Sequence, residues 1–326
     1  MKVININVSK GKVFSSTEFN SDVVVAIGNF DGLHKGHEKL LSTAKKEAMK
    51  RQLPFGVITF DPHPRDFFSN SKNAFLLTDF LEKKRLFKEF GVDNFYNIRF
   101  NDNLRNLSPK MFIKLILKNA IKVKYIFAGE NFRFGKDREG SFKDKKIFQE
   151  FMIDVNTDEL QKNSNGEIIS SELIRKSILN LDFNLVKSSL GREWAITGVV
   201  QKGDQNGRKL GFSTANIEIS KILNPKRGVY FTNTRIMSED GESFLSDKMT
   251  SITNFGIRPT IDGHKKLFET HILNYSYFFK NKEIYDCRIY VELLGFIREE
   301  KKFESFDSLK DQIIEDVKKA EQFHKK

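Results

Sequence analysis

The chain has 326 residues, with 55 Lys and Arg against 43 Asp and Glu, a formal net charge of +12 and one cysteine. That length accommodates two domains with cores of their own, no apolar run approaches the roughly 20 residues of a membrane-crossing helix, and Cys287 has no partner for an internal disulfide. The lysines are scattered singly and in pairs among acids, so the surplus reads first as a solvated surface, next as attraction for anionic nucleotides, and least as a nucleic-acid surface.

In chain order, Met1 to Val8 alternates like an edge strand. It lacks the long apolar core and small-residue cleavage site of a secretory leader, and with the lone cysteine it points to a reducing cytoplasm. Val23 to Ile27 is continuously apolar and reads as a buried parallel strand. Glu38 to Arg51 reads as a helix with Leu40, Leu41, Ala44 and Ala48 on one face. Between them runs Gly28-Asn29-Phe30-Asp31-Gly32-Leu33-His34-Lys35-Gly36-His37, where a strand hands over to a helix N-terminus. Free backbone N–H groups and the helix dipole favour an anion there, glycines let backbone approach a phosphate, and two imidazoles add donors. A zinc site is the rival, opposed by the lone cysteine and the lack of a third ligand nearby.

Pro54 to Phe60 reads as a strand running into Asp61-Pro62-His63-Pro64, Leu81 to Phe90 as a helix, and Asn94 to Phe100 as a strand. Ser108 caps a helix over Pro109 to Ala120, with proline in the first turn. Lys124 to Ala128 is a strand leading into Gly129-Glu130-Asn131-Phe132-Arg133-Phe134-Gly135. This alternation implies an α/β doubly wound domain with ligands at the C-terminal ends of its strands. After a turn at Lys162 to Gly166, Ser170 and Ser171 open a helix to about Asn180, with Arg175 one turn on. The serines and the arginine suit either plain capping or a phosphate. Asp182 to Leu190 is a further helix, stopped by Gly191.

The domain boundary falls near 186, giving domains 1–186 and 187–326. From Trp194 the texture changes to short strands between glycine turns: Ala195 to Gln201, Gly228 to Met237, Phe268 to Tyr275 and Ile284 to Leu294. They suggest a small β-barrel, closed by an amphipathic helix from Ser308 to Phe323. The glycine-dense stretch from Lys202 to Asn216 lacks the Walker arrangement, and Gly203 to Gly207 reads as a hairpin turn. Thr214 and Asn216, two apart on a strand, put a hydroxyl and an amide oxygen on one face, both hard ligands suited to Mg2+.

The Gly28–His37 segment resembles the HxGH nucleotidyltransferase signature, in the form of the FAD synthetase branch. Ile169-Ser170-Ser171-Glu172-Leu173-Ile174-Arg175 is similar to that family's Ile-Ser-Ser-Thr-x-Ile-Arg, with Glu172 in place of threonine. The Lys202–Asn216 stretch resembles the riboflavin kinase motif, with Ser213 in place of proline. Gly228-Val229-Tyr230, Asn254-Phe255-Gly256-Ile257-Arg258-Pro259-Thr260 and Glu269-Thr270-His271 follow in the family's order. The chain thus resembles the bifunctional bacterial riboflavin kinase/FAD synthetase family over nearly its whole length.

The resemblance implies two reactions: riboflavin plus ATP to FMN, then FMN plus ATP to FAD and pyrophosphate, with Mg2+ bridging phosphates. In adenylyl transfer it implies His34 and His37 on the triphosphate and Arg175 on the leaving pyrophosphate. It implies ATP binding by Gly28, Phe30, Asp31, Asn131, Ser170 and Ser171, and a flavin pocket lined by Pro62, Pro64 and Phe134. In the kinase it implies Glu269 as general base, Thr214 and Asn216 as metal ligands, and Gly203, Gly207, Arg208, Phe212 and Arg258 at the nucleotide and flavin. His271 shares the face of Glu269 and receives no role. Two other readings stay open: one half weakened by Glu172 or Ser213, or a flavin-binding regulator that contacts RNA. No membrane or nucleic-acid partner is expected.

Overall fold

Strand β3 (Val23–Ile27) is buried at every position, and its two faces feed two different cores. Val23, Val25 and Ile27 pack with Ile113, Ile116 and Leu117. Val24 and Ala26 pack with Leu40, Leu41, Ala44 and Ala48. A strand covered on both faces reads as an unbroken apolar run, which is why its sequence does not alternate. The computed structural model describes residues 1–17, 21–69, 74–202, 211–260, 263–274 and 284–325, excepting the side chains of 258–260 and 263–264. Contacts divide the chain into two units, residues 1–72 with 86–170, and residues 73–85 with 171–326.

The first unit holds a seven-stranded sheet. Its members are β1 (Lys2–Ser9), β2 (Lys12–Ser15), β3, β4 (Phe55–Asp61), β5 (Asn94–Arg99), β6 (Val123–Gly129) and β9 (Asp154–Asp158), in the order β2-β1-β5-β4-β3-β6-β9. All neighbours pair in parallel except β1 and β2. The order reverses between β3 and β6, the switch point at which doubly wound sheets open a crevice for ligands. Helix α1 (Lys35–Arg51) follows β3 with the expected four residues buried. Helix α5 (Pro109–Phe112) starts on Ser108, whose side chain accepts from Met111 N–H, and continues as a π-helix, Ile113–Ala120. A small hairpin, β7 (Arg133–Phe134) with β8 (Gly140–Ser141), follows β6.

One expectation is corrected. The N-terminal strand is not an edge. It pairs with β5 on one side and, through a turn at Lys10 and Gly11 with φ of 48° and 72°, with β2 on the other. The alternation that suggested an edge comes from burial of one face alone: Ile4, Ile6 and Val8 are in the core.

The second unit is built on β10 (Trp194–Val199), β11 (Ala215–Glu218), β12 (Gly228–Met237), β13 (Met249–Thr260), β14 (Gly263–Ile272) and β15 (Arg288–Arg298), in the order β10-β15-β12-β13-β14-β11. All are antiparallel, and Gln201 N–H donates to the Asn216 carbonyl at 2.8 Å, drawing the two ends of the sheet together into a near-closed barrel. The last strand starts later than expected because Ile284 to Cys287 form a turn, with Asp286 at φ 64°.

Inside the barrel, apolar residues such as Tyr230, Phe255 and Phe268 are joined by a ladder of buried hydroxyls. Thr234, Ser251, Thr232, Thr253 and Thr270 are linked in that order at 2.8 to 2.9 Å. Helices α7 (Ser171–Leu179) and α8 (Phe183–Leu190) add Ile174, Ile178, Phe183, Val186 and Leu190 to the same core. The boundary expected near 186 lies within α8. The closing helix α9 (Phe306–His324) packs Ile313, Val317 and Ala320 on Val229, Ile252 and Leu273. Its buried Asp316 takes three hydrogen bonds from Arg298.

Residues 73–85 also belong to this unit. Trp194 Nε1–H donates to the Leu77 carbonyl and Thr197 to Asp79, while Leu76 forms a parallel bridge with Ile222. A buried two-pronged ion pair joins Arg85 to Glu82, both bonds 2.7 Å, with Arg85 over the rings of Phe244 and Tyr290. Burial pushes the Glu82 carboxyl up, and Arg85 opposes this.

Candidate active sites

In the first unit, the turn after β3 is held by an unusual run of backbone. Phe30, Gly32 and Leu33 have φ of 48°, 83° and 42°. Phe30 and Leu33 are held in the left-handed region by burial, and such strain gathers at functional sites. His34 caps α1: its Nδ1 accepts from His37 N–H at 3.3 Å. With Nδ1 accepting, the ring proton of His34 lies on Nε2. The His37 ring stacks on that of His34, centroids 3.6 Å apart and 18° between planes, with Phe30 edge-on to His37 at 5.1 Å. Gly36 has no side chain because a Cβ would meet the His34 ring at 3.1 Å. Asp31 and Gly28 are buried beneath this turn. The result is a pair of fixed imidazoles at a helix N-terminus, beside the switch point, suited to an oligophosphate.

The neighbouring strand ends supply the rest. Gly129 closes β6 with nothing within 4 Å of where a Cβ would be, which leaves open floor beside the exposed Asn131. Pro62 and Pro64 follow β4 on a stretch that carries buried Phe60, half-buried Phe67 and exposed Phe68. Phe60 lies 6.3 Å from Phe132, and Phe100 lies 5.2 Å from Phe67 and 5.7 Å from Phe68. Flat apolar walls of this kind fit a planar ring system. Phe134 sits deeper, packed with Phe112, Phe142 and Phe148. Ser170 is part-buried at the end of this unit.

Ser171 and Arg175 are described with the second unit. The Arg175 Nε–H donates to the Phe75 carbonyl at 2.8 Å, its guanidinium lies over the Phe75 ring, and a terminal N–H reaches Glu172 at 3.3 Å. Glu172 is thus half-exposed and paired with arginine.

On the barrel, the register aligns Asn216 on β11, Glu269 on β14 and Asn254 on β13 in one row. Asn216 is 8 % exposed. Its Oδ1 is sealed from solvent and meets no hydrogen-bond partner among the described residues. A buried amide oxygen left without a donor, two residues from the Thr214 hydroxyl, fits a hard cation such as Mg2+. Asn254 Nδ2–H donates to Glu269 Oε2 at 3.5 Å.

His271 gains a task that its sequence did not reveal. Its Nδ1 lies 2.9 Å from the Ser213 carbonyl and its ring meets Phe212 edge-on, which anchors the chain just ahead of Thr214. Burial holds His271 below the ordinary histidine value, and the Ser213 contact works the other way. Gly203, Gly207 and Arg208 lie outside the described residues, as does the Arg258 side chain, while the Arg258 backbone pairs with Lys265 in β13–β14. The sequence motif contains Asn254 but gives it no role; its place opposite Glu269 is supplied only by the register.

Comparisons with known proteins match both halves. The FAD synthetase family model matches residues 16–173, and the riboflavin kinase model matches residues 190–324. A bifunctional riboflavin kinase/FMN adenylyltransferase of Escherichia coli strain K12 is 35% identical over 301 residues, covering 92% of each chain. The protein of the same description from Haemophilus influenzae is 33% identical over 299 residues, covering 92% of this chain and 93% of that one. A crystal structure described as a macrolide-efflux protein from Streptococcus pneumoniae aligns with a TM-score of 0.80 at 30% identity, covering 96% of this chain and 97% of that one. In the present chain no helix of the described residues is long and apolar enough to cross a membrane. On these matches, across both halves and nearly the whole length, the chain belongs to the bifunctional riboflavin kinase/FMN adenylyltransferase family.

Proposed function

We infer that the chain makes both flavin cofactors, phosphorylating riboflavin to FMN on the barrel and adenylylating FMN to FAD at the imidazole pair. Both activities are those of the family to which the chain belongs. The observation that carries the division of labour is that each half has its own fixed phosphate-side geometry: the stacked His34–His37 pair in one and the Asn216–Glu269 row in the other. Residues 1–186 are assigned to adenylyl transfer and 187–326 to the kinase.

In the kinase reaction, Glu269 takes the proton of the ribityl 5′-hydroxyl. That oxygen bonds to the γ-phosphorus of ATP, and the bond to the β–γ bridging oxygen breaks, its electron pair leaving with ADP. Thr214 and Asn216 would hold Mg2+, which would supply neutralisation of phosphate charge. Phe212, Arg258, Gly203, Gly207 and Arg208 are assigned to nucleotide and flavin by their motif.

In adenylyl transfer, an FMN phosphate oxygen attacks the α-phosphorus and pyrophosphate leaves; nothing covalent forms on the protein. His34 and His37 meet the charge that builds on the phosphates. The open floor at Gly129 supports ATP binding along Gly28, Phe30, Asp31 and Asn131. The rings of Phe67, Phe68, Phe100 and Phe132, none of them fully buried, support a flavin seat beside Pro62 and Pro64, with Phe134 as its packed backing. For Ser170, Ser171 and Arg175 the assignment to pyrophosphate rests on the motif. The enzyme is assigned to the cytoplasm on its lone cysteine.

The test is incubation of the purified protein with riboflavin, ATP and Mg2+, followed by separation of flavins. FMN followed by FAD is the expected course. FMN alone would restrict the chain to its kinase, and no conversion of riboflavin or of added FMN would overturn the assignment.

A further inference from the structure

Glu269 stands between two amides. Its register partner on β11 is Asn216 and on β13 is Asn254. Residues directly opposed on neighbouring strands share a face, so the three side chains form one row. The two amides differ in state. The Asn216 Oδ1 is buried with no hydrogen-bond partner among the described residues, while Asn254 presents N–H to Glu269 Oε2. Gly256 lies two residues on and on the same face, where a Cβ would lie 2.8 Å from Glu300 Oε1 and in ordinary contact, 3.5 Å, with Asn254 Nδ2. On the opposite face the backbone is tied, because Thr253 and Thr270, the neighbours of Asn254 and Glu269, bond to each other at 2.9 Å inside the barrel.

We propose that Asn254 is a positioning residue of the kinase reaction: its amide holds one oxygen of Glu269 so that the other faces the riboflavin hydroxyl. The inference rests on the reading of Glu269 as general base. A donor tied to a neighbouring strand narrows the directions in which a carboxylate can present its accepting oxygen. The contact is long at 3.5 Å. Such bonds are commonly long without substrate and tighten when the reacting groups arrive.

The experiment measures riboflavin phosphorylation by the full chain and by Asn254→Ala, Asn254→Asp, Glu269→Gln and the Asn254→Ala/Glu269→Gln pair. Both Asn254 variants are expected to lower kcat by about 10- to 100-fold, a share of what a positioned base contributes, with KM for riboflavin and ATP unchanged. Asn254→Asp keeps the size and loses the donor, so a wild-type kcat in that variant would overturn the proposal. So would a loss carried by KM alone, which would mean substrate binding. In the Glu269→Gln background, Asn254→Ala is expected to add nothing, because residues acting as one unit are not additive. A full further loss there would contradict action through Glu269. FMN adenylylation by the same preparations reports an intact fold. Near-normal phosphorylation by Glu269→Gln would overturn the general-base reading and this inference together. Loss in Glu269→Gln beside unaffected Asn254 variants would overturn the inference alone.

Discussion

Asn216 and Glu269 oppose each other in the β11–β14 ladder, so an amide oxygen with no hydrogen-bond partner among the described residues lies beside the carboxylate assigned as base. Backbone register alone thus puts the proposed cation ligand and the proposed base on the same face. Asn216→Ala is expected to lower riboflavin phosphorylation by about 100-fold, since a phosphate-bridging metal is worth several kcal/mol. A Mg2+ titration of the rate should show the requirement displaced upward, with adenylylation of added FMN unaffected. An unchanged Mg2+ dependence would remove Asn216 from the metal site.

The imidazole pair depends on the missing side chain at Gly36, where a Cβ would press on the His34 ring at 3.1 Å. Gly36→Ala should rotate that ring and separate the stack. FAD formation is expected to fall by roughly 10- to 100-fold, the cost of a sub-ångström to 1 Å misplacement of a reacting group. FMN formation should stay at the wild-type rate in the same flavin-separation assay.

The Glu82–Arg85 pair is a stability device in residues 73–85. Both side chains are buried, at 4% and 5% exposure, so removing one partner strands the other. Arg85→Ala should lower the unfolding free energy by about 3 kcal/mol or more. The paired change Glu82→Gln with Arg85→Met should recover most of that loss. Denaturant melts of the three proteins measure it, and a double variant as weak as the single would contradict the pairing argument.

His271 Nδ1 meets the Ser213 carbonyl at 2.9 Å, just ahead of Thr214 and Asn216, the proposed metal ligands. Serine in place of proline at 213 leaves that stretch with one more free torsion, and the histidine contact restrains it. His271→Ala is expected to raise KM for ATP in the kinase reaction several-fold, by about the 1 kcal/mol of one hydrogen bond, with adenylylation unchanged. Steady-state kinetics with riboflavin saturating would show it.

Much of this was legible in the chain. The apolar run Val23–Ile27, the helix with Leu40, Leu41, Ala44 and Ala48 inside, the Ser108 cap and the Gly191 stop all appear as read. Each is decided by local periodicity or a single side chain. What was not legible is non-local. Threonine reads as a strand former whichever way it faces, so the five-hydroxyl ladder had no sequence signature. Residues 73–85 carry nothing to say that they dock on strands more than 100 positions later. Asn254 gained meaning only when pairing set it across from Glu269.

The most direct measurement is the crossed pair of single variants, followed by separation of flavins. His37→Ala is expected to convert riboflavin to FMN and stop there. Glu269→Ala is expected to leave riboflavin untouched yet convert added FMN to FAD. If either substitution, in a protein that still melts cooperatively, stopped both reactions, the account of two separate phosphate-handling sites on one chain would be contradicted.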